Sequence, residues 1–294
     1  MITAEFKNKI LNSLSERRKN FFGSDAKFAV SLGINHAQYS RIKNGELDGV
    51  LSDSNWINLA RRCEVSLTNA PDWKTANTPV FQFITAQLEK CQNESLSALL
   101  CDLSDIGKTY TAVQYAKAHP SVVYVDCSQV KSKQKLIKYI AKEFGVNHTG
   151  KYADVYDDLV YYLKTLPQPL IILDEAGDLQ YDAFLEIKAL WNATEMSCGY
   201  YMMGADGLQQ KIRRSIDCKK VGYTEIFSRF GKRYGKVIPS GKGAAESFML
   251  SNAAMIIKAN AVAGTDVNVL LKKTIGDDGM PSLRRIYKEI RKTN

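Results

Sequence analysis

Short apolar segments alternate with longer amphipathic ones between residues 78 and 239, and this alternation limits the chain to few folds. Four such segments are found, at residues 96–101, 122–125, 170–173 and 200–203. Strands that are apolar on both faces are typical of a parallel sheet with helices on each side. We therefore predict an α/β core. Ligands of such sheets bind where the strands end, at their carboxyl edge.

The chain is predicted to be helical on both sides of this core, with one helical part before it and another after it. Residues 1–68 have apolar spacing of helical period, and residues 69–79, rich in Pro, Thr and Asn, predict a linker. The α/β core is predicted over residues 80–238 and a small helical lid over residues 239–294.

The first part has the spacing of a helix-turn-helix motif. Ser24 and Asn35 are placed to cap two helices that flank a turn at Gly33, and the segment is similar to the phage-repressor type. In that geometry the second helix enters the major groove, and its predicted DNA contacts are His36, Gln38 and Arg41. The alternative is a small helical domain that binds protein.

Residues 101–109 lie between the first predicted strand and a helix, where a phosphate-binding loop is expected. Such a loop uses backbone N–H groups and a helix N-terminus for phosphates, a Lys for the β and γ oxygens and a hydroxyl for Mg²⁺. Gly107, Lys108 and Thr109 provide these groups. Asp102 and Asp105 depart from the pattern, and their carboxylates are expected to repel anions and to alter the loop.

Two acidic residues, Asp174 and Glu175, directly follow the apolar strand at 170–173. At that position one carboxylate can bind Mg²⁺ and the next can polarise an attacking water, as phosphoryl transfer requires. Asp206, after the strand at 200–203, is expected beside them. Arg229 is either an arginine finger that acts across a subunit boundary or part of the basic surface.

In this order the motifs resemble the AAA+ ATPases, and more closely the family of phage Mu transposition protein B. The shared signals are the helical N-terminal domain and the segments Gly107-Lys108-Thr109, Ile171–Ala176, Met203-Gly204, Phe227-Ser228-Arg229 and Leu283–Ile286. The resemblance implies an ATP- and Mg²⁺-dependent ATPase that binds double-stranded DNA with little sequence preference. It also implies helical self-assembly on DNA and delivery of target DNA to a DDE transposase.

The resemblance assigns roles to particular residues. Phosphate and nucleotide contacts are predicted for Asp105, Ile106, Gly107, Lys108, Thr109, Tyr110 and Arg284, metal binding for Thr109 and Asp174, and catalysis for Glu175 and Arg229. Asp206 joins the predicted catalytic residues because of its place after a strand, and not through the resemblance. Ala205 and Asp206 replace the Asn expected after Met-Gly in the family. Together with the altered phosphate loop, this departure predicts slow hydrolysis.

Positive charge is concentrated near the C-terminus, where residues 211–294 contain 18 Lys and Arg against 7 Asp and Glu. This excess favours a polyanionic partner. The basic residues predicted to line DNA in a filament are Lys131, Lys133, Lys135, Lys151, Arg213 and Arg214. They would contact phosphates and carry no sequence code. Their alternative role is the solvated face of amphipathic helices.

No apolar run reaches the roughly 20 residues of a membrane helix, and the six cysteines are scattered, so we expect a cytoplasmic protein. Two other functions remain open. One is a helix-turn-helix regulator whose degenerate ATPase core only senses nucleotide. The other is a protein-binding adaptor or an ATPase similar to helicase loaders.

Overall fold

A computed structural model describes residues 2–63, 65 and 73–293. Its N-terminal part is a group of four helices, α1 Ala4–Lys19, α2 Asp25–Leu32, α3 His36–Lys43 and α4 Asp53–Arg62. Each begins after a Ser, Thr or Asn whose side chain accepts a backbone N–H of the first turn, which satisfies a donor that the helix itself leaves unpaired. The four helices enclose their own apolar core around Trp56.

Helices α2 and α3 are joined by the tight turn that the sequence predicted. Gly33 ends α2 in the left-handed conformation with φ +70°, and Asn35 caps α3. A side chain other than glycine is disfavoured at that φ.

The core is a four-stranded parallel sheet with the spatial order β1-β4-β3-β2. The strands are β1 Ser97–Cys101, β2 Val122–Asp126, β3 Leu170–Asp174 and β4 Gly199–Gly204. Gly235 extends the sheet beyond β1 through a single parallel bridge to Leu100. In register, Asp126 lies opposite Asp174 and Cys101 opposite Gly204, so the ends of all four strands share one edge.

Helices cover both faces of the sheet. They are α5 Pro79–Asn93, α6 Lys108–Ala118, α7 Lys133–Glu143, α8 Tyr152–Thr165, α9 Tyr181–Ala193, α10 Asp206–Asp217 and α11 Tyr223–Arg229. The larger apolar core lies under α7 to α11, and the smaller one lies under α5 and α6. The predicted α/β fold class with helices on both faces is confirmed.

The last three helices, α12 Lys242–Asn260, α13 Val267–Thr274 and α14 Leu283–Thr293, form the small helical lid. Its own core contains Ile257, Leu270 and Ile286, and Trp73 packs against it. The first half of α12 instead packs on the sheet side through Met249. Helix α12 thus connects the lid to the core.

The predicted linker, residues 69–79, lies partly outside the described residues. Of the remainder, residues 73–78 run along the lid. The backbone N–H and carbonyl of Lys74 bond the Asn260 side chain at 2.7 and 2.9 Å, and the Trp73 ring packs on the Tyr287 ring with centroids 5.1 Å apart. This segment therefore fastens α5 to the lid.

The N-terminal helices dock on the core at α6, α7 and α8. The Asn20 side chain donates to the Lys117 carbonyl (2.7 Å), Tyr162 donates to the Phe22 carbonyl (3.1 Å), and the Lys27 ammonium lies 3.4 Å from the Tyr162 ring centroid. Among the described residues, the helices are too short or too polar to cross a membrane.

Candidate nucleotide-binding site

The loop between β1 and α6 ends at the N-terminus of a helix on the carboxyl edge of the sheet. Gly107 precedes α6 with φ +101°, and Asp105 has φ +57°. The unpaired N–H groups of the first turn of α6 and its dipole favour an anion at this position. The loop thus leads into a helix N-terminus, where an anion would be favoured.

Lys108, the first residue of α6, is buried, and its ammonium donates to the carbonyls of Asp102 (3.0 Å) and Leu103 (2.5 Å). Burial lowers the pKa of Lys108, whereas the carboxylates of Asp102, Glu175 and Asp174 oppose that shift. A buried cation bonded only to carbonyls lacks a full charge partner, which an anionic phosphate would provide.

Thr109 and Asp174 meet across the sheet edge. The Thr109 hydroxyl donates to Asp174 Oδ2 at 2.6 Å, and the Tyr124 hydroxyl donates to the same oxygen at 2.9 Å. The backbone N–H of Glu175 donates to Asp174 Oδ1 at 2.9 Å. Asp174 is only 1% exposed, so these three donors fix its orientation.

Glu175 follows Asp174 in a left-handed conformation, with φ +50°, and its side chain is exposed toward the cavity described below. Its carboxyl group is nevertheless partly shielded from water by the surrounding protein, which raises its pKa; the charge of Asp174 adds to the shift, and Lys108 opposes it. A carboxylate with a raised pKa is a better proton acceptor for water.

Asp102 does not face the phosphate cradle, contrary to the sequence-based expectation of two repelling carboxylates. Its Oδ2 accepts the backbone N–H groups of Val237 (2.6 Å) and Ile238 (3.0 Å), and its Oδ1 accepts that of Leu103 (2.8 Å). The side chain is 3% exposed. Asp102 is therefore an anchor for the chain that enters the lid.

Asp105 faces the lid instead. Its Oδ2 accepts the Ser282 hydroxyl at 2.7 Å, and its Oδ1 lies 3.9 Å from Arg284 Nε. The Leu283 side chain is within 3.7 Å of where a Cβ on Gly107 would lie. The lid is thus in contact with the loop, and of the two loop carboxylates only Asp105 lines the cavity.

A cavity of about 700 Å³ opens between the loop, α6, residues 73–81 and the lid. Its size is within the range of small-molecule sites. Apolar and aromatic side chains line it, namely Trp73, Phe81, Ile256, Leu283 and Tyr287. Tyr110 also lines it, and its hydroxyl bonds that of Thr75 (2.7 Å). Ile106 lines it too, although most of its side chain is buried in the smaller apolar core.

Sequence reasoning missed the aromatic lining of this cavity, because Trp73 lies in the predicted linker and Tyr287 in the lid. The residues present fit a nucleoside triphosphate and a hard divalent cation. The cavity offers an aromatic, apolar side for a base, the N-terminus of α6 offers donors for phosphates, and Thr109 and Asp174 offer the oxygen ligands that Mg²⁺ prefers.

The remaining predicted catalytic residues lie apart from this group. Asp206 begins α10 at the same sheet edge, is exposed, and forms neither a hydrogen bond nor an ion pair with any described residue. Arg229 lies at the opposite edge. Its Nε donates to Asn192 (2.7 Å) and its guanidinium lies 5.2 Å from the Trp191 ring centroid, while Trp191 bonds Ser97 at the start of β1.

The predicted DNA contacts of the core differ in their partners. Lys131 pairs with Asp178 and Lys133 with Glu186, both at 2.9 Å. The others, Lys135, Lys151, Arg213 and Arg214, are exposed and form no ion pair with a described residue. Arg213 lies 5.2 Å from the Tyr234 ring centroid.

In the N-terminal part, two of the three predicted base contacts are engaged locally. The Gln38 side chain accepts the Asn35 backbone N–H (3.1 Å) in a capping box, and Arg41 forms a two-bond ion pair with Glu46. His36, at the start of α3, is exposed.

Comparison with known proteins agrees with this architecture. Residues 91–212 match a family model described as AAA domain. The chain is 25% identical over 228 residues to the Mu-like prophage FluMu DNA transposition protein B of Haemophilus influenzae, which covers 76% of this chain and 78% of that protein. The predicted resemblance to AAA+ proteins of the transposition protein B type is thereby confirmed.

A solved structure, that of the Aeropyrum pernix Orc1 protein in complex with DNA, is also similar, with 15% sequence identity and a TM-score of 0.46. The alignment covers 76% of this chain and 66% of the Orc1 chain, slightly less than two thirds of its length.

Proposed function

We propose that this chain, an AAA+ protein similar to transposition protein B, is an ATPase that binds double-stranded DNA with little sequence preference and serves DNA transposition. The observation that carries the proposal is the contact between Thr109 and Asp174 beside the buried Lys108, at the mouth of a cavity of nucleotide size. The full proposal includes helical self-assembly on DNA and delivery of target DNA to a DDE transposase.

In the proposed reaction each residue of the site has a separate task. Lys108 leaves the loop carbonyls and binds the β and γ phosphates, while the N–H groups that begin α6 hold the remaining phosphate oxygens. Thr109 and Asp174 would hold Mg²⁺, which would supply positive charge next to the phosphates. Glu175 accepts the proton of the attacking water, for which its raised pKa suits it.

Arg229 does not reach the site of its own chain, because it lies at the opposite edge of the sheet. Its proposed role therefore requires a second copy of the chain, which would bring the guanidinium to a neighbouring nucleotide. Asn192 and Trp191 hold the side chain at the surface, where a neighbour can meet it. Turnover should accordingly depend on assembly.

Binding of DNA is proposed to occur mainly through phosphate contacts. Among the predicted contacts, Lys135, Lys151, Arg213 and Arg214 lack carboxylate partners in the described structure, whereas Lys131 and Lys133 are already paired. A cation without an ion-pair partner loses less when it binds a phosphate, so these four residues are expected to contribute more than Lys131 and Lys133. The affinity should fall steeply with salt, since each phosphate contact releases counterions.

The test measures ATP hydrolysis with and without nonspecific duplex DNA, and the same samples are imaged for filaments. Lys108→Ala and Glu175→Gln are compared with wild type, and Lys164→Ala, an exposed lysine at the end of α8, is the control. We expect DNA-stimulated turnover that both site variants lose and the control keeps. Filaments should persist in Glu175→Gln, which binds ATP without hydrolysing it.

Failure to bind duplex DNA at low salt under any nucleotide condition contradicts the proposal. Tight binding to one DNA sequence without turnover or filaments would instead identify a helix-turn-helix regulator that only senses nucleotide. In that case replacing His36 should abolish discrimination between DNA sequences, whereas Arg213→Ala should change the DNA affinity little.

A further inference from the structure

Tyr124 bonds the carboxylate expected to bind metal, although it is not part of the phosphate loop or of the acidic pair. Tyr124 lies on β2 opposite Ile172 of β3. Ile172 precedes Asp174 by two residues, so Tyr124 and Asp174 point to the same face of the sheet. This diagonal placement brings its hydroxyl to 2.9 Å from Asp174 Oδ2. Thr109 donates to that same oxygen from α6.

We propose that Tyr124 is a positioning residue of the metal site, where its hydroxyl keeps Asp174 Oδ2 directed at Thr109. The inference rests on the proposed function, because it concerns the cation that accompanies ATP. Glu175 N–H fixes only the other oxygen of the carboxylate, at 2.9 Å. Without the Tyr124 bond, the oxygen that faces Thr109 loses one of its two donors. Only Thr109 and the Glu175 N–H then hold the carboxylate, so it is less well aligned and binds a cation more weakly.

Tyr124 acts through Asp174 and not on the nucleotide. It does not line the 700 Å³ cavity, but it does line a second cavity, of about 360 Å³, between the N-terminal helices and the core. Arg17, Phe28 and Arg62 contribute the N-terminal side of that second cavity. The Tyr124–Asp174 bond therefore joins the interface between the two parts of the chain to the metal site.

The protonation state of Tyr124 suits this role. Burial raises its pKa, and the adjacent negative charge of Asp174 raises it further, so the phenol remains a hydrogen-bond donor throughout the physiological pH range. A donor to a metal-binding carboxylate typically changes metal affinity by tenfold or more when it is removed.

The test compares Tyr124→Phe with Tyr139→Phe. Tyr139 lines the same interdomain cavity from α7, and its replacement removes the same hydroxyl without touching Asp174. Binding of a fluorescent ATP analogue is measured by anisotropy, first in EDTA and then as Mg²⁺ is added, with thermal unfolding of each variant recorded in parallel. No turnover is needed for this readout.

We expect Tyr124→Phe to weaken the apparent Mg²⁺ affinity of the nucleotide complex by about tenfold, with nucleotide affinity in EDTA unchanged. Tyr139→Phe should leave both values unchanged. An unaltered Mg²⁺ affinity in Tyr124→Phe overturns the assignment. So does an equal loss in Tyr139→Phe, or a parallel loss of affinity in EDTA, since either would indicate a general structural effect. If wild type binds no nucleotide in either condition, the proposed function itself fails.

Discussion

Replacement of Asp102 by alanine should destabilise the protein although its position belongs to a phosphate-loop motif. The carboxylate accepts three backbone N–H groups, from Leu103, Val237 and Ile238, and bridges 135 or more residues of sequence to the latter two. Asp102→Ala leaves these donors without their acceptor. Asp102 does not line the nucleotide cavity, so the main effect of the variant is expected on stability.

The size of the effect follows from the burial of the three donors. Only the bond to Ile238 is fully buried, and those to Leu103 and Val237 are partly buried, so water can replace the acceptor at two of the three. A hydrogen bond to a charged group contributes about 1.5 to 3 kcal/mol, and an unsatisfied buried donor costs about 1 to 3 kcal/mol. We expect a loss of about 3 kcal/mol in the free energy of unfolding. For a domain of this size that corresponds to a fall in Tm of roughly 10 °C.

Thermal unfolding followed by circular dichroism and tryptophan emission measures this loss. Trp73 packs on the lid, so early separation of the lid should change its share of the emission, to which Trp56 and Trp191 also contribute. Asp102→Asn keeps one oxygen acceptor, so its Tm should lie between those of wild type and Asp102→Ala. Asp105→Ala is the matched control, since it removes an aspartate of the same loop that has one hydrogen bond, to Ser282. A Tm for Asp102→Ala within about 2 °C of wild type, or a larger fall in Asp105→Ala, would refute the anchoring role.

Four further outcomes are expected. Asp105→Asn should bind ATP about tenfold more tightly in calorimetric titrations, because it removes a like charge from the nucleotide cavity; unchanged affinity would contradict this. Gly145→Ala should loosen the N-terminal helices, seen as faster hydrogen exchange in α2. Its φ of +72° is disfavoured for alanine, and the new Cβ would lie 2.3 Å from the Lys27 carbonyl oxygen. Glu175→Gln should raise the Tm at pH 7 relative to wild type, because the raised pKa of Glu175 means that its charged form destabilises the fold. This difference should disappear as the pH falls below the ordinary glutamate pKa of 4.5, and a constant difference would show another cause. Thiol titration of the native protein should modify Cys218 first, since the other five cysteines are buried.

Much of the fold could be predicted because its signals are local. Helix starts followed from caps such as Ser24 and Asn35, and the turn between α2 and α3 followed from Gly33. The strands β3 and β4 followed from runs that are apolar on both faces. Each of these signals acts within a few residues, so the printed sequence contains it in full.

The placement of the loop aspartates could not be predicted, because their partners are far away in the chain. Asp102 bonds residues 237 and 238, and Asp105 bonds Ser282, 177 residues away. The partners of Asp102 are backbone N–H groups, which nearly every residue has, so no residue type in the sequence identifies them. Tyr124 was missed for a related reason, since its bond to Asp174 depends on the register of β2 against β3.

Some contacts were local and could have been found. Asn35 and Gln38 are three residues apart at a helix start, the spacing of a capping box, and Arg41 precedes Glu46 by five residues across a tight turn. Both observations bear on DNA recognition by α3. A side chain that caps its own helix or pairs with a neighbour must give up that bond to read a base. The predicted phosphate contacts Lys135, Lys151, Arg213 and Arg214 form no ion pair with a described residue and do not have this cost.

The two departures from the phosphate-loop pattern have different physical consequences. Glycine at position 102 would gain conformational freedom and lose the anchor to residues 237 and 238, so an aspartate there is compatible with an intact cradle. Asp105 instead places a negative charge between the loop and the lid residues Ser282 and Arg284. A triphosphate that enters the cavity brings further negative charge to the same place and should compete for those lid contacts. Nucleotide binding and lid position are therefore expected to be coupled through Asp105 alone of the two aspartates.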